Sequence, residues 1–213
     1  MKKMKKILIA DDEPEIIDIV KKMLSEKYEV VGVYDGEEVL KKAKEIKPDL
    51  ILLDILMPKM DGWETLKRLK QDEELKDIPV SMLTALPLTP EDTYDKPIDY
   101  IENYIVKPFT KETLLRKIED VFEREEEAKK TYEELKKKVG KEVADEYMKL
   151  SKAINRHRRL IGVIVNSTNQ LNQSVRNLIL SQKRLIESLK KRAEEIEALL
   201  KEEGNKSKEN VAK

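Results

Sequence analysis

Cysteine is absent from this chain of 213 residues, which excludes disulfides, zinc–thiolate sites and cysteine nucleophiles. Long apolar runs are also absent, and none approaches the ~20 residues that a transmembrane helix needs. The basic N-terminus is followed by only four apolar residues, which excludes a signal peptide and predicts a cytoplasmic location. Proline is absent after Pro108, and glycine there is limited to Gly140, Gly162 and Gly204, so the second half has few helix breakers.

Charged residues are abundant, at 40 % of the chain against 39 % hydrophobic residues. This composition suits long solvated helices, and it equally suits a thermophile. The formal net charge is zero but unevenly spread. Residues 1–122 hold 21 Lys and Arg against 27 Asp and Glu, whereas residues 151–213 hold 14 against 7. The two ends of the chain therefore predict different partners.

A continuous apolar run leads into Asp54. Residues 49–54 lie between Pro48 and Pro58, and this pattern predicts a strand that is buried on both faces. Open α/β sheets place their ligand sites at the carboxyl ends of the strands. Asp54 is therefore the first candidate for a functional residue.

Four other apolar stretches alternate with helical patterns along the first half of the chain. Strands that alternate with helices through short connections predict a parallel sheet covered by helices on both faces, which is an α/β fold. The five predicted strands cover residues 7–10, 30–34, 49–54, 79–84 and 101–106.

Polar side chains follow four of these strands. The first ends at Asp11 and Asp12, the third at Asp54, the fourth at Thr84 and the fifth at Lys107. Three carboxylates at one edge repel each other unless a cation joins them, and partly hydrated Mg²⁺ fits best where no His or Cys is near. A metal ion, an amine and a hydroxyl together can hold a phosphoryl group.

Five motifs occur in order: Asp11-Asp12, Asp54, Met57-Pro58-Lys59-Met60-Asp61-Gly62, Thr84-Ala85 and Lys107-Pro108-Phe109. Together they resemble the receiver domain of two-component response regulators over roughly residues 4–122. The resemblance implies a flavodoxin-like domain with strand order 2-1-3-4-5. It also implies a signalling protein that takes phosphate from a sensor histidine kinase, with no enzymatic activity beyond Mg²⁺-dependent self-phosphotransfer and self-dephosphorylation.

The resemblance assigns roles to individual residues at the strand ends. Asp54 accepts the phosphate. Asp12 and Asp54 hold Mg²⁺, and Asp11, partly through water, and the backbone carbonyl of Leu56 complete the metal site. Lys107 pairs with the carboxylate and then with the phosphate.

The resemblance also implies a switch made of two further residues. Thr84 moves towards the phosphoryl oxygens, and Tyr104 turns inward to fill the vacated space. A single acid or hydroxyl at a strand end is more often a solvated loop residue. The convergence of five such residues is what favours a functional site.

Two leucines stand where a hydrolytic water would be held. Leu56 lies two residues after Asp54 and Leu86 two residues after Thr84, so they flank the line of attack on the phosphoryl group. Neither side chain can orient a water molecule, which predicts slow self-dephosphorylation. The alternative is that both leucines merely pack.

Residues 86–101 depart from the usual receiver pattern. Receivers commonly carry a full fourth helix and a Gly-Ala pair before the last strand. Three prolines in this segment permit at most two helical turns, and Tyr100-Ile101 replaces the Gly-Ala pair. We therefore expect the signal to leave along the last helix of the receiver rather than through the usual face.

That last helix continues beyond the receiver. Its pattern runs from Thr110, which caps it, to the break predicted at Gly140. We predict a receiver domain at 1–122, an extension of its last helix with a turn at 123–140, and a long helical or coiled-coil module at 141–213. A disordered tail is expected from about residue 204.

A seven-residue repeat runs through the third segment. Three apolar columns suit a bundle of several helices better than a two-stranded coiled coil. We predict a homodimer that forms a four-helix arrangement, and the alternative is a hairpin folded within one chain. The first column is Ile154, Ile161, Thr168, Val175, Gln182, Leu189 and Ile196; the second is His157, Ile164, Leu171, Leu178, Leu185, Arg192 and Leu199; the third is Val165, Ile179, Ile186, Ala193 and Leu200.

Residues 147–186 contain eight Lys and Arg and no Asp or Glu. This segment indicates an anionic partner, which could be nucleic acid, an acidic protein or the acidic receiver itself. The sequence shows no helix-turn-helix and no zinc finger.

We interpret the chain as a phosphorylation-controlled switch whose output is a helical oligomerisation or docking module. One alternative is a DNA-binding transcriptional regulator acting through residues 147–186. Another is a phosphorelay protein using His157, although its flanks match no phosphoacceptor motif and a packed histidine is the commoner case. Tyr132-Glu133-Glu134-Leu135 and Glu146-Tyr147-Met148-Lys149-Leu150-Ser151-Lys152 also resemble the HalX class of archaeal regulators.

Overall fold

The structure, a computed structural model, describes residues 4–86, 96–167 and 173–211. Five parallel strands form one sheet with the order β2-β1-β3-β4-β5. This order confirms the predicted α/β fold. The strands are β1 Lys5–Ala10, β2 Tyr28–Val33, β3 Leu50–Leu53, β4 Val80–Thr84 and β5 Ile101–Val106.

The described residues also form six α-helices and one 3₁₀ turn, Ile98–Tyr100. Thr110 precedes α4, and its hydroxyl accepts a hydrogen bond from the Thr113 N–H at 3.2 Å, as expected of a cap. The helices are α1 Pro14–Leu24, α2 Gly36–Ile46, α3 Gly62–Gln71, α4 Lys111–Lys138, α5 Lys141–Ser167 and α6 Gln173–Val211.

The centre of the sheet is buried on both faces. The side chains of residues 7–10 and 50–53 have no exposed surface, because helices cover both sides of a parallel sheet. Two strands begin earlier than the apolar pattern predicts. Lys5 pairs with Tyr28, so main-chain pairing extends β1 and β2 beyond their apolar residues.

A close backbone approach positions the loop after β3. The Gly62 N–H donates to the main-chain oxygen of Ile55 at 2.9 Å. A Cβ atom at position 62 would lie 2.1 Å from the main-chain oxygen of Asp54. Only glycine fits at this distance, so Gly62 sets how closely the start of α3 approaches the end of β3.

A buried carboxylate ties the same loop to the start of α2. Asp35 caps α2 by accepting a hydrogen bond from the Glu38 N–H at 2.8 Å, and Lys59 Nζ lies 2.5 Å from its other oxygen. The Lys59 ammonium and then the Glu38 N–H hold the pKa of Asp35 below its usual value. Lys59 itself has a positive φ of 63°, which shows that the loop turns sharply at this residue.

Contacts group residues 1–118 with 162–170 in one unit, and residues 119–161 with 171–213 in the other. Helix α4 runs unbroken through residue 122, and it ends before Gly140, whose φ of 140° is suited to glycine. The predicted domain boundaries stay predictions. The second unit has a core of its own, made of Leu135, Ala144, Tyr147, Ile154, Ile186, Ala193 and Ile196.

Helices α5 and α6 pair within one chain. His157 Nδ1 lies 2.6 Å from Gln182 Oε1, and Arg192 Nε donates to Glu146 at 2.9 Å. Residue numbers rise along α5 as they fall along α6, so the two helices are antiparallel. This arrangement is the hairpin that was the alternative to a dimer, and a homodimer stays a prediction.

The first and third predicted apolar columns are buried in part, with Val165 of the third column 48 % exposed, and the second column is exposed at Leu178 and Leu185. The main chain is helical as far as Val211, past residue 204 where we predicted a disordered tail, and the Lys and Glu there favour helix. The buried column residues are Ile154, Ile196, Ile179, Ile186 and Ala193.

The predicted short fourth helix lies in residues 87–95, outside the described residues.

Within the described part of the chain, no helix combines the length and the apolar character that crossing a bilayer requires.

Replacement of Gly62 by alanine is expected to destabilise the first unit by about 1–3 kcal/mol, because the added methyl group forces Asp54 and α3 apart. Gly162 is the matched control, since its Cβ position has no atom within 4 Å, and alanine there should be neutral or stabilise α5 by up to about 1 kcal/mol. Urea unfolding of both variants measures the difference. Equal stability of the two variants would contradict this role of Gly62.

Replacement of Asp35 by asparagine keeps a helix cap and removes the charge that pairs with Lys59. Because the folded pKa of Asp35 is lowered, its stabilisation is present above the unfolded value of about 3.9 and is lost as the pH falls through the folded value. The wild type should therefore have a higher urea midpoint than Asp35→Asn at pH 7, and this difference between the two midpoints should disappear below about pH 4. Lys59→Gln should reproduce this profile; a gap that widens in acid would contradict it.

Candidate functional site

Three carboxylates meet at the carboxyl edge of the sheet. One oxygen from each of Asp11, Asp12 and Asp54 lies within 4.8 Å of the other two. The strands cause this, since Ala10 pairs with Leu53 and the next residue on each strand is an acid. Asp11 and Asp54 are buried, whereas Asp12 is exposed. The structure thus brings together the three acids that the sequence indicated.

Lys107 lies among these acids. Its Nζ is 2.6 Å from Asp11 Oδ2, 3.6 Å from Asp54 Oδ2 and 3.6 Å from Glu13 Oε1. Burial disfavours the charged amine, but the ion pair with Asp11 and the charges of Asp54 and Glu13 outweigh it, so the pKa of Lys107 is raised. The amine is therefore a fixed positive charge, and its nearest partner is Asp11 rather than Asp54.

Burial disfavours the charged form of Asp11. Its side chain has no exposed surface, and this burial raises the pKa of Asp11 above its usual value despite the opposing effect of Lys107 and of the Glu13 N–H. A further cation at this position would favour the charged form of Asp11. The electrostatics of the site therefore suit a bound metal ion.

The donor set also fits Mg²⁺. All the ligand atoms are carboxylate oxygens, which hard divalent cations prefer. The exposure of Asp12 leaves one side of the cluster open to water, and Mg²⁺ usually keeps several waters.

Asp54 is held in place by its own strand end. Its Oδ1 accepts a hydrogen bond from the Ile55 N–H at 2.8 Å, and its main-chain N–H donates to the Ala10 oxygen at 2.9 Å. Oδ2 is the oxygen that is directed towards Lys107. The carboxylate is thus 4 % exposed and oriented from two sides.

A hydrogen-bonded chain joins Thr84 to Tyr104 through one residue. The Leu86 N–H donates to Thr84 Oγ1 at 3.2 Å, and the Tyr104 hydroxyl donates to the Leu86 main-chain oxygen at 2.5 Å. Thr84 and Tyr104 are both buried, so the tyrosine ring faces inward in this structure. The Lys107 main-chain N–H also donates to the Thr84 main-chain oxygen at 2.8 Å, so the ends of β4 and β5 are joined at these two residues.

Leu56 and Leu86 have exposed side chains, at 54 % and 41 %. The alternative that both leucines merely pack is not tested by this exposure, and slow self-dephosphorylation stays a prediction.

Glu13 is a residue that the sequence reasoning missed. Its N–H donates to Asp11 Oδ1 at 3.2 Å, and its carboxylate is the third acid near Lys107. The signal was its position directly after Asp11-Asp12, in the short connection to α1.

The second unit holds the other candidate residues. His157 is half-buried, and its Nδ1 contacts Gln182 rather than a carboxylate. Lys149, Lys152 and Arg156 of the acid-free segment are exposed on α5.

Comparison with known proteins places the first unit in one family. The response regulator receiver domain model matches residues 7–119. The alkaline phosphatase synthesis transcriptional regulatory protein PhoP of Bacillus subtilis is 37 % identical over 126 residues, which are 57 % of this chain and 50 % of that protein. The chain thus spans about half the length of this relative.

Solved structures agree with this assignment. The chemotaxis protein CheY4 of Vibrio cholerae is 35 % identical with a TM-score of 0.52, over 56 % of this chain and 99 % of that one. The receiver domain of a Pseudomonas aeruginosa sensor histidine kinase, whose active-site cleft coordinates magnesium, is 26 % identical with a TM-score of 0.50, over 55 % and 97 %. The chain therefore belongs to the response regulator receiver domain family, through residues 7–119.

Proposed function

We propose that Asp54 accepts a phosphoryl group from a sensor histidine kinase and that this event switches the helical second unit. Receiver domains are phosphorylated by histidine kinases and bind Mg²⁺ in their acidic site. The observation that supports the proposal for this chain is the buried Asp54 carboxylate between Asp11, Asp12 and Lys107.

The chemistry is a displacement at phosphorus. An oxygen of Asp54 attacks the phosphorus of a phosphohistidine, a P–O bond forms as the P–N bond breaks, and the imidazole leaves. The product is an acyl phosphate on Asp54. Lys107 balances the charge of the phosphoryl oxygens, since its ammonium already lies 3.6 Å from Asp54 Oδ2.

Asp11, Asp12, Asp54 and the backbone carbonyl of Leu56 would hold Mg²⁺ in this proposal. When bound, the ion neutralises negative charge on the phosphoryl oxygens during transfer. Asp11 and Lys107 keep their positions through their own ion pair of 2.6 Å.

The switch that we propose uses the hydrogen bonds around Leu86. Thr84 would turn its hydroxyl towards the phosphoryl oxygens and release the Leu86 N–H at 3.2 Å. Leu86 also accepts from Tyr104, so its movement changes the environment of the tyrosine. Helix α4 begins four residues after Lys107, which makes it the proposed route of the signal.

The output that we propose is contact between α5–α6 and another protein, either as a homodimer or with a different partner. A DNA-binding transcriptional regulator is the second candidate, because PhoP is named a transcriptional regulator and residues 147–186 are basic. The relay role of His157 and the cytoplasmic location stay predictions.

Phosphate uptake from phosphoramidate with Mg²⁺, followed by intact mass, tests the phosphoacceptor. The wild type should gain one phosphoryl group, and Asp54→Asn should lower uptake by more than about 100-fold because the nucleophilic oxygen is replaced. Asp61→Asn is the matched control, since Asp61 caps α3 and asparagine also caps helices. Chelation of Mg²⁺ should abolish uptake, and full uptake by Asp54→Asn would refute the proposal.

The phosphorylated protein should lose its phosphate slowly, with a half-life of minutes or longer, because Leu56 and Leu86 cannot orient water. Leu56→Asn should speed the loss by about tenfold, since an amide can hold the attacking water. Ile19→Asn is the control, because Ile19 is similarly exposed, at 45 %, but lies on α1. A wild-type half-life of seconds would contradict the prediction.

A further inference from the structure

One side of the α5–α6 hairpin is covered by α4. A cavity of about 360 Å³ lies on that side, and all three helices line it. The lining residues on the hairpin include Tyr147, Ser151 and Arg158 of α5 and Ala193 and Glu197 of α6. With Ile154 between Ser151 and Arg158, these residues recur at spacings of three or four, so they mark the side of each helix that faces α4.

Another side of the hairpin carries exposed leucines. Leu178 and Leu185 of the second apolar column are 40 % and 42 % exposed, whereas Ile179 and Ile186, each one residue further along, are 8 % and 7 % exposed. A step of one residue is a rotation of about 100° around the helix. The two leucines therefore lie on a different side of α6 from Ile179 and Ile186, and this side is partly open to solvent.

Helix α5 contributes a matching strip. Ala153, His157 and Leu160 are half-buried and are spaced four and three residues apart, so they share one side of α5. His157 reaches Gln182 on α6 at 2.6 Å, which joins the two strips into one surface. We call this surface the open face, and it consists of Ala153, His157, Leu160, Leu178 and Leu185.

The edges of the open face are positive. Lys149 and Arg156 lie within four residues of Ala153 on α5, Arg184 lies next to Leu185 on α6, and all three are exposed. In the part of the chain that the structure describes, none of these three cations forms an ion pair. No acid occurs from residue 147 to 186, and the Glu146–Arg192 pair at 2.9 Å marks where the acids begin.

We propose that the open face binds an acidic amphipathic helix of a partner protein. The apolar strip accepts the leucine-rich side of such a helix, and the cations at its edges attract the acids beside it. The proposal names the docking partner of the output described above and in that respect rests on the proposed function. It assigns a ligand to the second unit independently of the phosphate chemistry.

Charge distinguishes an acidic helix from two other partners, a second copy of the chain and nucleic acid. A second copy of the chain would bring two acid-free surfaces together, and their like charges would repel. Nucleic acid would use the cations, but phosphates gain nothing from the two exposed leucines. An acidic helix is the partner that uses both the leucines and the cations.

Binding is tested with the full, unphosphorylated chain and a labelled synthetic peptide of about 20 residues. The peptide carries leucines along one face of its helix and mainly glutamates on the other faces. Two comparison peptides keep one property each: one spreads the same leucines around the helix, and the other replaces glutamate by lysine. Fluorescence anisotropy should show the acidic amphipathic peptide binding at least about tenfold more tightly than either. Added salt should weaken that binding.

The surface is tested with Leu178→Ser combined with Leu185→Ser. This variant should bind the peptide about tenfold more weakly, since it removes the apolar contacts. Leu180→Ser is the matched control, because Leu180 is 52 % exposed and lies about 200° around α6 from Leu178. Arg156→Glu with Arg184→Glu should also weaken binding, and α5 and α6 should stay folded because all five substituted side chains are exposed.

Several outcomes would overturn the proposal. Equal binding of the three peptides, or an equal effect of the control variant, would remove the open face as the site. A chain mass that light scattering shows to be dimeric, and monomeric after the leucine substitutions, would assign the face to a second copy. Duplex DNA binding that survives those substitutions, without peptide binding, would assign the basic segment to nucleic acid. Phosphate uptake at Asp54 is measured in a separate experiment, so a failure of the docking proposal can be distinguished from a failure of the proposed phosphoacceptor function.

Discussion

The site depends on the neutralisation of buried negative charge at the end of β1 and β3. Asp11 has no exposed surface, and burial raises the pKa of its carboxyl. The Lys107 ammonium, 2.6 Å away, opposes that effect, and β5 delivers it to the same sheet edge as Asp54. A cluster with two buried acids and one ammonium remains short of positive charge. This shortage is the physical reason why the site suits Mg²⁺.

Backbone geometry holds the cluster in register. Parallel pairing of β1 with β3 sets Asp11 beside Asp54, and the contact of Gly62 with the Asp54 main chain fixes the turn that follows. Thr84 and Tyr104 are joined by the two main-chain hydrogen bonds of Leu86. In the switch that we propose, a shift of one of these groups would therefore change the positions of its neighbours.

The second unit combines a small apolar core with many charged residues. Its three helices bury residues such as Leu135 and Ile196, but they leave Leu178 and Leu185 exposed. Among the described residues, α4 packs on the side of the hairpin that lines the cavity, and a three-column apolar pattern is wider than one such contact. The uncovered column and the acid-free segment occur together on α5 and α6, and this coincidence is the basis for the docking partner that we propose.

The sequence by itself determined the receiver fold and, by resemblance, its strand order, because buried parallel strands have local signatures. It also indicated Asp11, Asp12, Asp54 and Lys107, which the structure brings together, whereas the roles of these residues and of Thr84 stay predictions. The 28-residue length of α4 and its end before Gly140 also follow from local sequence patterns. Tertiary structure alone decided that Lys107 is closest to Asp11, that Glu13 joins the site, and that α5 pairs with α6 in the same chain. These features depend on distances between segments far apart in the sequence, and no local pattern encodes such distances. The heptad pattern identified three apolar columns, but which of them stays uncovered depended on where α4 packs.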